Sequence, residues 1–322
     1  MKAIICERLD GADGLAIGDR PEPQPAPYEA LIEVSHVGLN FMDMLITRGR
    51  YQEKPELPFV VGAELAGHVQ TPPAEATGLR AGDRVMAYVG IGAAQERVAV
   101  AAERVVKVPA PVDLSTAAGL SVTYGAAVYA LKRRAQVSAG ETVAVTGASS
   151  GSGLAAIAVA KALGARVVAI ASTEKKLAVC RRHGADDGIL ADAETLKAEL
   201  RAATNGGPDV IYDCVGGELC DPALRALKSG GRYIIFGFAG GIPAIRANVA
   251  LLKDCDLLGI NWPASVAAAP DQHASDMDDV LKWLAHGRLP PPETTVRPFS
   301  DGPQAIADLA ARRVIGKVVL EI

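Results

Sequence analysis

A glycine-rich string between a short apolar strand and an alanine-rich helix constrains the fold of this chain most strongly. The predicted strand is Thr142–Thr146 (TVAVT), the string runs from Gly147 to Gly153 (GASSGSG), and the predicted helix is Leu154–Leu163. Glycines permit a tight turn there, and backbone N–H groups at the helix start favour a bound anion. With a second strand at Arg166–Ala171, this context predicts a cradle for the pyrophosphate of a dinucleotide.

Helices and strands alternate through the middle of the chain. Further helices are predicted at Thr123–Lys132 and Thr173–His183, and further strands at Val210–Tyr212 and Tyr233–Phe236. Repeated strand–helix–strand units predict an α/β fold with a doubly wound parallel sheet of Rossmann type. After Ile260 the pattern is irregular, apart from a helix at Asp276–His286 and a last strand at Lys317–Ile322.

The first 110 residues are predicted to be rich in β-structure. Ala30–Val37 (ALIEVSHV) alternates as a strand with one buried face. Short strands follow at Val98–Val100 and Val105–Val108, with turns between them. Such spacing predicts a small, partly closed β-barrel.

Composition excludes several classes of protein. The 322 residues suffice for two domains, and the formal net charge of −4 argues against a nucleic-acid partner. No apolar run is long enough to span a membrane and no signal peptide is apparent, so a cytoplasmic location is expected. The five cysteines form no C-x-x-C pair, which argues against a disulfide framework or a zinc cluster and favours buried free thiols.

The residues after the second strand indicate which dinucleotide binds. An enzyme that uses NAD usually has a carboxylate there for the ribose hydroxyls. Glu174 is the candidate, but it follows two good N-cap residues and is expected in the first helical turn. Ser172, Thr173 and Lys176 offer hydroxyls and a cation to a 2′-phosphate, which favours NADPH over NADH. The alternative is that Lys176 is a simple surface lysine.

The glycine string also resembles the loop of the short-chain dehydrogenases. Members of that family carry the loop near the N-terminus and a Tyr-x-x-x-Lys pair downstream. Here about 140 residues precede the loop and no such pair follows it, so that assignment is set aside.

Motifs along nearly the whole chain resemble the quinone oxidoreductase (zeta-crystallin-like) branch of the medium-chain dehydrogenase/reductase family. They are Gly38–Asp43 (GLNFMD), Arg48–Tyr51 (RGRY), Leu57–Val69 (LPFVVGAELAGHV), Val122–Tyr124 (VTY), Tyr212–Gly217 (YDCVGG), Gly230–Gly237 (GGRYIIFG) and Gly316–Leu320 (GKVVL). The resemblance implies a GroES-like β-barrel domain from residues 1–115 and 261–322 and a Rossmann domain from residues 116–260. It also implies a cleft between the two domains for nicotinamide and substrate, and a homodimer.

The family's zinc-dependent members bind the metal through a cysteine and a histidine, where this chain has Asn40 and Ala63. Amide and methyl groups cannot replace those ligands, so no metal is expected. Without a Lewis acid, hydride transfer to an already conjugated electrophile remains feasible. The predicted activity is NADPH-dependent reduction of a quinone. The alternatives are an enoyl or 2-alkenal reductase of the same fold and, from another class, an NADPH-binding structural or RNA-binding protein.

The resemblance also implies roles for individual residues. Asn40, Tyr51 and Thr123 would face the nicotinamide and position cofactor and acceptor, although Asn40 could instead only hold a turn. The further implied cofactor contacts are Ser150, Gly151, Ser152 and Gly153 at the pyrophosphate, Gly216, Phe236, Gly237 and Phe238 at the ribose and nicotinamide, Leu258, Gly259 and Ile260 at the carboxamide, and Arg312 at the 2′-phosphate. Ala191 stands where relatives often use a tyrosine on that phosphate.

Overall fold

The structure, a computed structural model, describes residues 1–75 and 77–322. It divides into two compact units. The first contains residues 1–125, 265–287 and 291–322, and the second contains residues 126–264 and 288–290. The sequence predicts domain boundaries after residues 115 and 260.

Strands and helices are numbered here in chain order. The strands are β1 Lys2–Cys6, β2 Leu15–Asp19, β3 Glu29–Leu39, β4 Phe59–Val60, β5 Glu64–Thr71, β6 Arg84–Tyr88, β7 Arg97–Ala101, β8 Val105–Lys107, β9 Thr142–Thr146, β10 Arg166–Ala171, β11 Asp187–Leu190, β12 Val210–Asp213, β13 Arg232–Ile235, β14 Asp256–Gly259, β15 Thr294–Pro298 and β16 Lys317–Glu321. The helices are α1 Phe41–Ile46, α2 Leu114–Ala117, α3 Ser121–Val128, α4 Gly151–Ala162, α5 Glu174–Arg182, α6 Leu196–Ala203, α7 Cys220–Ala226, α8 Ala247–Lys253, α9 Trp262–Ala268, α10 Pro270–Ala285 and α11 Gly302–Ala310. No helix among the described residues is long and apolar enough to cross a membrane.

The first unit is a GroES-like domain built on a seven-stranded sheet. Its strand order is β15-β16-β3-β5-β6-β8, with β7 also paired to β3, and a three-stranded sheet of order β2-β1-β4 accompanies it. The expected one-faced burial of Ala30–Val37 is wrong in part, because Ala30, Leu31 and Ile32 are all buried. The pairing of β3 with β5 shifts register at Leu31/Ile32 and again at Val34/His36, which interrupts the alternation of faces.

The second unit is a Rossmann-like domain with a six-stranded parallel sheet of order β11-β10-β9-β12-β13-β14. The order reverses between β9 and β12, and ligands of such sheets bind outside the carboxyl ends of the strands at that point. Every residue of β9 and β12 is buried, because helices cover both faces of a doubly wound sheet. Because these strands are parallel, the loops that follow β9, β10, β12 and β13 all leave the sheet on the same side, at the carboxyl ends of the strands.

Two predicted segments differ from the structure. The helix expected over Thr123–Lys132 is α-helical only to Val128, and Tyr129–Arg134 forms a π-helical turn in which Ala135 N–H donates to Ala130 five residues earlier. An alanine-rich pattern does not distinguish the two kinds of turn. The helix predicted at Asp276–His286 is longer than expected, since α10 begins at Pro270 and ends at Ala285. The fixed φ of Pro270 suits the first turn of a helix.

Candidate functional site

The glycine-rich string forms the turn between β9 and α4. Gly147 has a left-handed φ of +59°, and a Cβ atom there would lie 3.0 Å from Val215. Ser150 is the N-cap of α4, and its hydroxyl accepts a hydrogen bond of 3.1 Å from the N–H of Gly153. A Cβ at Gly153 would lie only 2.4 Å from the carbonyl oxygen of Gly147. The loop therefore packs tightly against the start of its helix.

The first turn of α4 is the part of this loop that can bind an anion. N–H groups in a first helical turn have no acceptor within the helix. Because the cap takes the N–H of Gly153, the N–H groups of Gly151 and Ser152 are the donors that the helix start offers. The 12-residue helix adds its dipole to them.

Hydroxyls and an ammonium group meet where β10 ends. Thr173 is the N-cap of α5 and accepts from the N–H of Lys176 at 3.3 Å. The Lys176 Nζ donates to the Ser172 hydroxyl at 3.0 Å. Glu174 lies in the first helical turn, as predicted, with its carboxylate 3.5 Å from Arg181. Ala191, whose N–H donates to Ala171 at the end of β10, brings only a methyl group to this end of the sheet.

The carboxylate of Asp213 organises the loops next to the glycine string. Its Oδ1 accepts from the Thr146 hydroxyl at 2.5 Å and from the N–H groups of Val215 and Gly216 at 2.9 and 3.0 Å. Its Oδ2 accepts from the Tyr233 hydroxyl at 2.6 Å. This buried side chain, 3% exposed, thus connects the last residues of β9 and β12 with Tyr233 in β13.

The loops after β12 and β13 are packed on each other. Gly216 has a φ of +64°, and a Cβ there would lie 2.6 Å from the Gly241 carbonyl oxygen. The N–H groups of Phe236 and Gly237 donate to the Asp213 carbonyl, and the Phe236 ring stacks on Tyr212 with 4.8 Å between centroids. Phe238 is half exposed.

The carbonyl of Gly259, at the end of edge strand β14, accepts a 3.0 Å hydrogen bond from Arg134. Beside Gly259, Leu258 and Ile260 are partly exposed, and the Ile260 N–H donates to Ile235 on the neighbouring strand.

In the GroES-like domain, Asn40 belongs to a buried polar cluster. Its amide Nδ2 donates to Glu64 Oε1 at 2.9 Å, and its Oδ1 accepts from Lys317 Nζ at 2.5 Å. The Lys317 ammonium also donates to Glu64 Oε1 at 2.5 Å. The second Glu64 oxygen accepts from the N–H of Val122 at the start of α3. Asn40 is only 7% exposed.

Asp43 lies beside this cluster and accepts a 2.7 Å hydrogen bond from the backbone N–H of Asn40. Burial raises the pKa of the Asp43 carboxyl to about 7, against the opposing effects of that hydrogen bond and of the Lys317 charge. Burial likewise raises the pKa of Tyr51, with a smaller contribution from the negative charge of Glu53. The Thr123 hydroxyl donates to the Gly119 carbonyl at 2.9 Å, so its oxygen is left to act as an acceptor.

The sequence alone does not assign a role to Lys317, Glu64 or Asp213. An acidic residue at the end of a buried strand could have drawn attention to Asp213, and a lysine within an apolar last strand could have drawn attention to Lys317. Among residues 1–75 and 77–322, no group of three or more His, Cys, Asp or Glu side chains could hold a metal ion.

Two family matches cover most of the chain. Residues 26–110 match the alcohol dehydrogenase GroES-like domain, and residues 151–285 match the family described as zinc-binding dehydrogenase. Among curated proteins, the quinone oxidoreductase-like protein 2 of Bos taurus is 33% identical over 325 aligned residues, which cover 100% of this chain and 92% of the relative.

That match decides the family. The chain belongs to the quinone oxidoreductases of the medium-chain dehydrogenase/reductase family. A probable oxidoreductase from Mycobacterium abscessus has a TM-score of 0.91 and 36% identity to this family member, covering 100% of this chain and 99% of that one. The quinone oxidoreductase of Thermus thermophilus, solved alone and in complex with NADPH, has a TM-score of 0.87 and 32% identity, with both chains covered completely.

The two domains of this quinone oxidoreductase family member divide the predicted site residues between them. The Rossmann-like domain holds the predicted cofactor residues from Ser150 to Ile260, which lie at or beside the carboxyl ends of its strands. The GroES-like domain holds Asn40, Tyr51, Thr123 and Arg312. Arg312 follows α11 with a left-handed φ of +55°.

Proposed function

We propose that the protein is a zinc-free, NADPH-dependent oxidoreductase that transfers hydride to a quinone or a similar conjugated electrophile. The observation that carries the proposal is the cradle at the carboxyl edge of the parallel sheet. There the N–H groups of Gly151 and Ser152 follow β9, and the Ser172–Lys176 cluster follows β10. The two groups are neighbours because β9 pairs with β10 in parallel. The complex of the Thermus thermophilus relative with NADPH supports the same cofactor. The bound nicotinamide supplies the hydride, and the protein positions it.

Lys176 is proposed to bind the 2′-phosphate that distinguishes NADPH from NADH. Fluorescence titrations of both nucleotides should show that Lys176→Ala weakens NADPH at least tenfold and NADH little, since a charge-assisted hydrogen bond is lost. Lys175→Ala is the matched control, because it removes the same charge one residue away on an exposed position. Equal losses for both nucleotides would remove Lys176 from the phosphate site.

The proposal that the protein binds no zinc is supported by the residues at the position where the family's zinc enzymes bind their metal. Asn40 and Ala63 supply no thiolate or imidazole, and the Lys317 ammonium contacts both Asn40 and Glu64. Elemental analysis of the purified protein should find far less than one zinc per chain, and chelators should leave activity unchanged. Stoichiometric zinc with chelator-sensitive turnover would contradict this part of the proposal.

Quinone reduction and enone reduction are separated by an acceptor screen. Steady-state oxidation of NADPH is measured with 9,10-phenanthrenequinone and with a short enone. The proposal expects faster turnover of the quinone, and activity on the enone alone would favour an enoyl or 2-alkenal reductase. Tight NADPH binding without turnover of any electrophile would favour a structural or RNA-binding protein, which the net charge of −4 does not support.

A homodimer formed through β14 completes the proposal. This strand is the edge of the parallel sheet and contains Leu257, which is 38% exposed. Leu251 and Leu252, in the helix α8 that precedes it, are 78% and 76% exposed. An open edge and apolar side chains together suit a second copy of the chain. Light scattering should give twice the chain mass, and Leu251→Glu with Leu252→Glu should give monomers, whereas Leu9→Glu, at an exposed leucine of the GroES-like domain, should not.

A cytoplasmic location is proposed as well and is tested by cell fractionation.

A further inference from the structure

The buried contacts of Lys317 define the orientation of one amide group. Lys317 Nζ donates to Asn40 Oδ1 and to Glu64 Oε1, both at 2.5 Å, and Asn40 Nδ2 donates to the same Glu64 oxygen at 2.9 Å. The three side chains form a closed triangle of hydrogen bonds. The Lys317 and Glu64 side chains are only 5% and 1% exposed, so water does not compete for these contacts.

The fold makes room for this triangle with two glycines. Gly38 lies opposite Glu64 in the β3–β5 pairing, and a Cβ at Gly38 would lie 2.9 Å from the Glu64 carboxylate and 2.2 Å from the Ala118 carbonyl oxygen. A Cβ at Gly119 would lie 2.8 Å from the stem of Lys317. The Glu64 and Lys317 side chains therefore occupy space that a side chain at Gly38 or Gly119 would otherwise fill.

An ammonium group can only donate hydrogen bonds, and an ionised carboxylate can only accept them. Between two such partners, the Asn40 amide has one orientation that satisfies both, with its oxygen toward Lys317 and its nitrogen toward Glu64. A flipped amide would set its oxygen against the carboxylate and its N–H group against the ammonium. The pair thus fixes where the second N–H of Asn40 Nδ2 points.

We propose that Lys317 and Glu64 are positioning residues that lock the Asn40 amide so that it offers an N–H donor, and not its carbonyl oxygen, to the acceptor. This inference rests on the proposed function, in which Asn40 positions the acceptor. Hydride addition to a quinone or enone leaves negative charge on the acceptor oxygen, and a preorganised N–H donor stabilises that charge. A free amide would spend part of its time presenting an oxygen, which repels the developing charge.

The test compares wild type with the double variant Glu64→Gln, Lys317→Met, which removes both charges at similar volume, so that neither is left buried and unpaired. The kcat for quinone reduction should fall roughly a hundredfold, the lower end of the effect of removing one oriented oxyanion donor. The KM for NADPH should stay within about twofold. The matched control, Arg97→Met with Glu22→Gln, removes another ion pair of the same domain and should leave kcat unchanged.

A double-mutant cycle separates positioning from general support of the fold. Asn40→Ala should lower kcat to a similar degree, and adding the Glu64→Gln, Lys317→Met pair to it should lower kcat no further. If the double variant fails to fold, Lys317→Arg, which keeps a donor-only cation, replaces it and should retain most of the kcat. An unchanged kcat in the folded double variant, or additive losses in the cycle, would overturn the inference. With Lys317→Arg, a loss as large as that of Asn40→Ala would overturn it.

The lock has a readout that does not depend on turnover. In nitrogen-15 NMR spectra, the side-chain amide protons of Asn40 should exchange slowly with solvent in wild type and faster in the double variant. The same fast exchange in wild type would overturn the lock. A wild type with the slow signals that reduces none of the acceptors would instead overturn the proposed function while the lock itself stands.

Discussion

At the scale of single residues, Asp43 is a carboxyl group held in the protein interior. It is 2% exposed, and burial raises its pKa to about 7 from an ordinary value of 3.8. The folded protein therefore keeps this proton at pH values where the unfolded chain has released it. The stability that Asp43 contributes is fully present below about pH 4 and is lost as the pH rises toward 7.

Asp43→Asn should remove this pH dependence. Relative to the variant, the wild type should lose roughly 2 to 3 kcal/mol of unfolding free energy between pH 5 and pH 8, since one pKa unit corresponds to about 1.4 kcal/mol. Denaturant unfolding of both proteins at several pH values measures the difference. Asp13→Asn changes an exposed acid of the same domain, and its unfolding free energy should depend on pH in the same way as that of the wild type. Parallel curves for Asp43→Asn and wild type would show that Asp43 is ionised throughout.

Gly153 is a second residue whose role follows from the space around it. Gly153→Ala should weaken NADPH at least tenfold and lower the unfolding temperature, because the added Cβ would lie 2.4 Å from the Gly147 carbonyl oxygen and force the loop open. Nucleotide titration and thermal unfolding measure the two effects. Gly230→Ala is the control, since its φ of +73° carries backbone strain but nothing lies within 4 Å of the new Cβ. It should lose about 1 kcal/mol of stability and keep its affinity.

At the scale of elements, the first turn of α5 affects both the stability of the helix and the preference for NADPH over NADH. Thr173→Ala should lower stability by about 1 kcal/mol, because the N-cap hydroxyl no longer accepts from the Lys176 N–H. It should also weaken NADPH more than NADH, since the first turn carries Lys176. Thr173→Ser keeps the hydroxyl and should restore both properties in denaturant unfolding and nucleotide titration. A stability loss with unchanged nucleotide preference would limit Thr173 to capping.

The elements of the two sheets were predictable to different degrees. The strands around the glycine string were found from apolar runs bounded by glycine, and β9 and β10 have the bounds that those runs predicted. The GroES-like sheet was only outlined, because its strands pair across long stretches of sequence and β3 shifts register twice against β5. The π-helical turn at Tyr129–Arg134 was missed because it shares its composition with an α-helix.

At the scale of the whole molecule, NADPH should stabilise the folded chain. A ligand at one hundred times its dissociation constant adds about 2.7 kcal/mol to the unfolding free energy. Thermal unfolding should therefore shift upward by a few degrees with NADPH and by less with an equal concentration of NADH. Gly153→Ala should show at most about half of that shift, because a tenfold weaker affinity leaves about 1.4 kcal/mol of stabilisation at the same concentration. Equal shifts for the two nucleotides in wild type would contradict the assigned preference for the phosphate.

The glycine string, the alternation of strands with helices and the identities of Asn40 and Ala63 can be interpreted from the sequence alone, because each depends on residues close together in the chain. The Asn40–Glu64–Lys317 triangle could not. Lys317 lies 277 positions from Asn40 and 253 from Glu64, and only the pairing of β16 with β3 and of β3 with β5 brings them into contact. Strand register depends on the packing of the whole domain, so these contacts emerge only once the chain has folded.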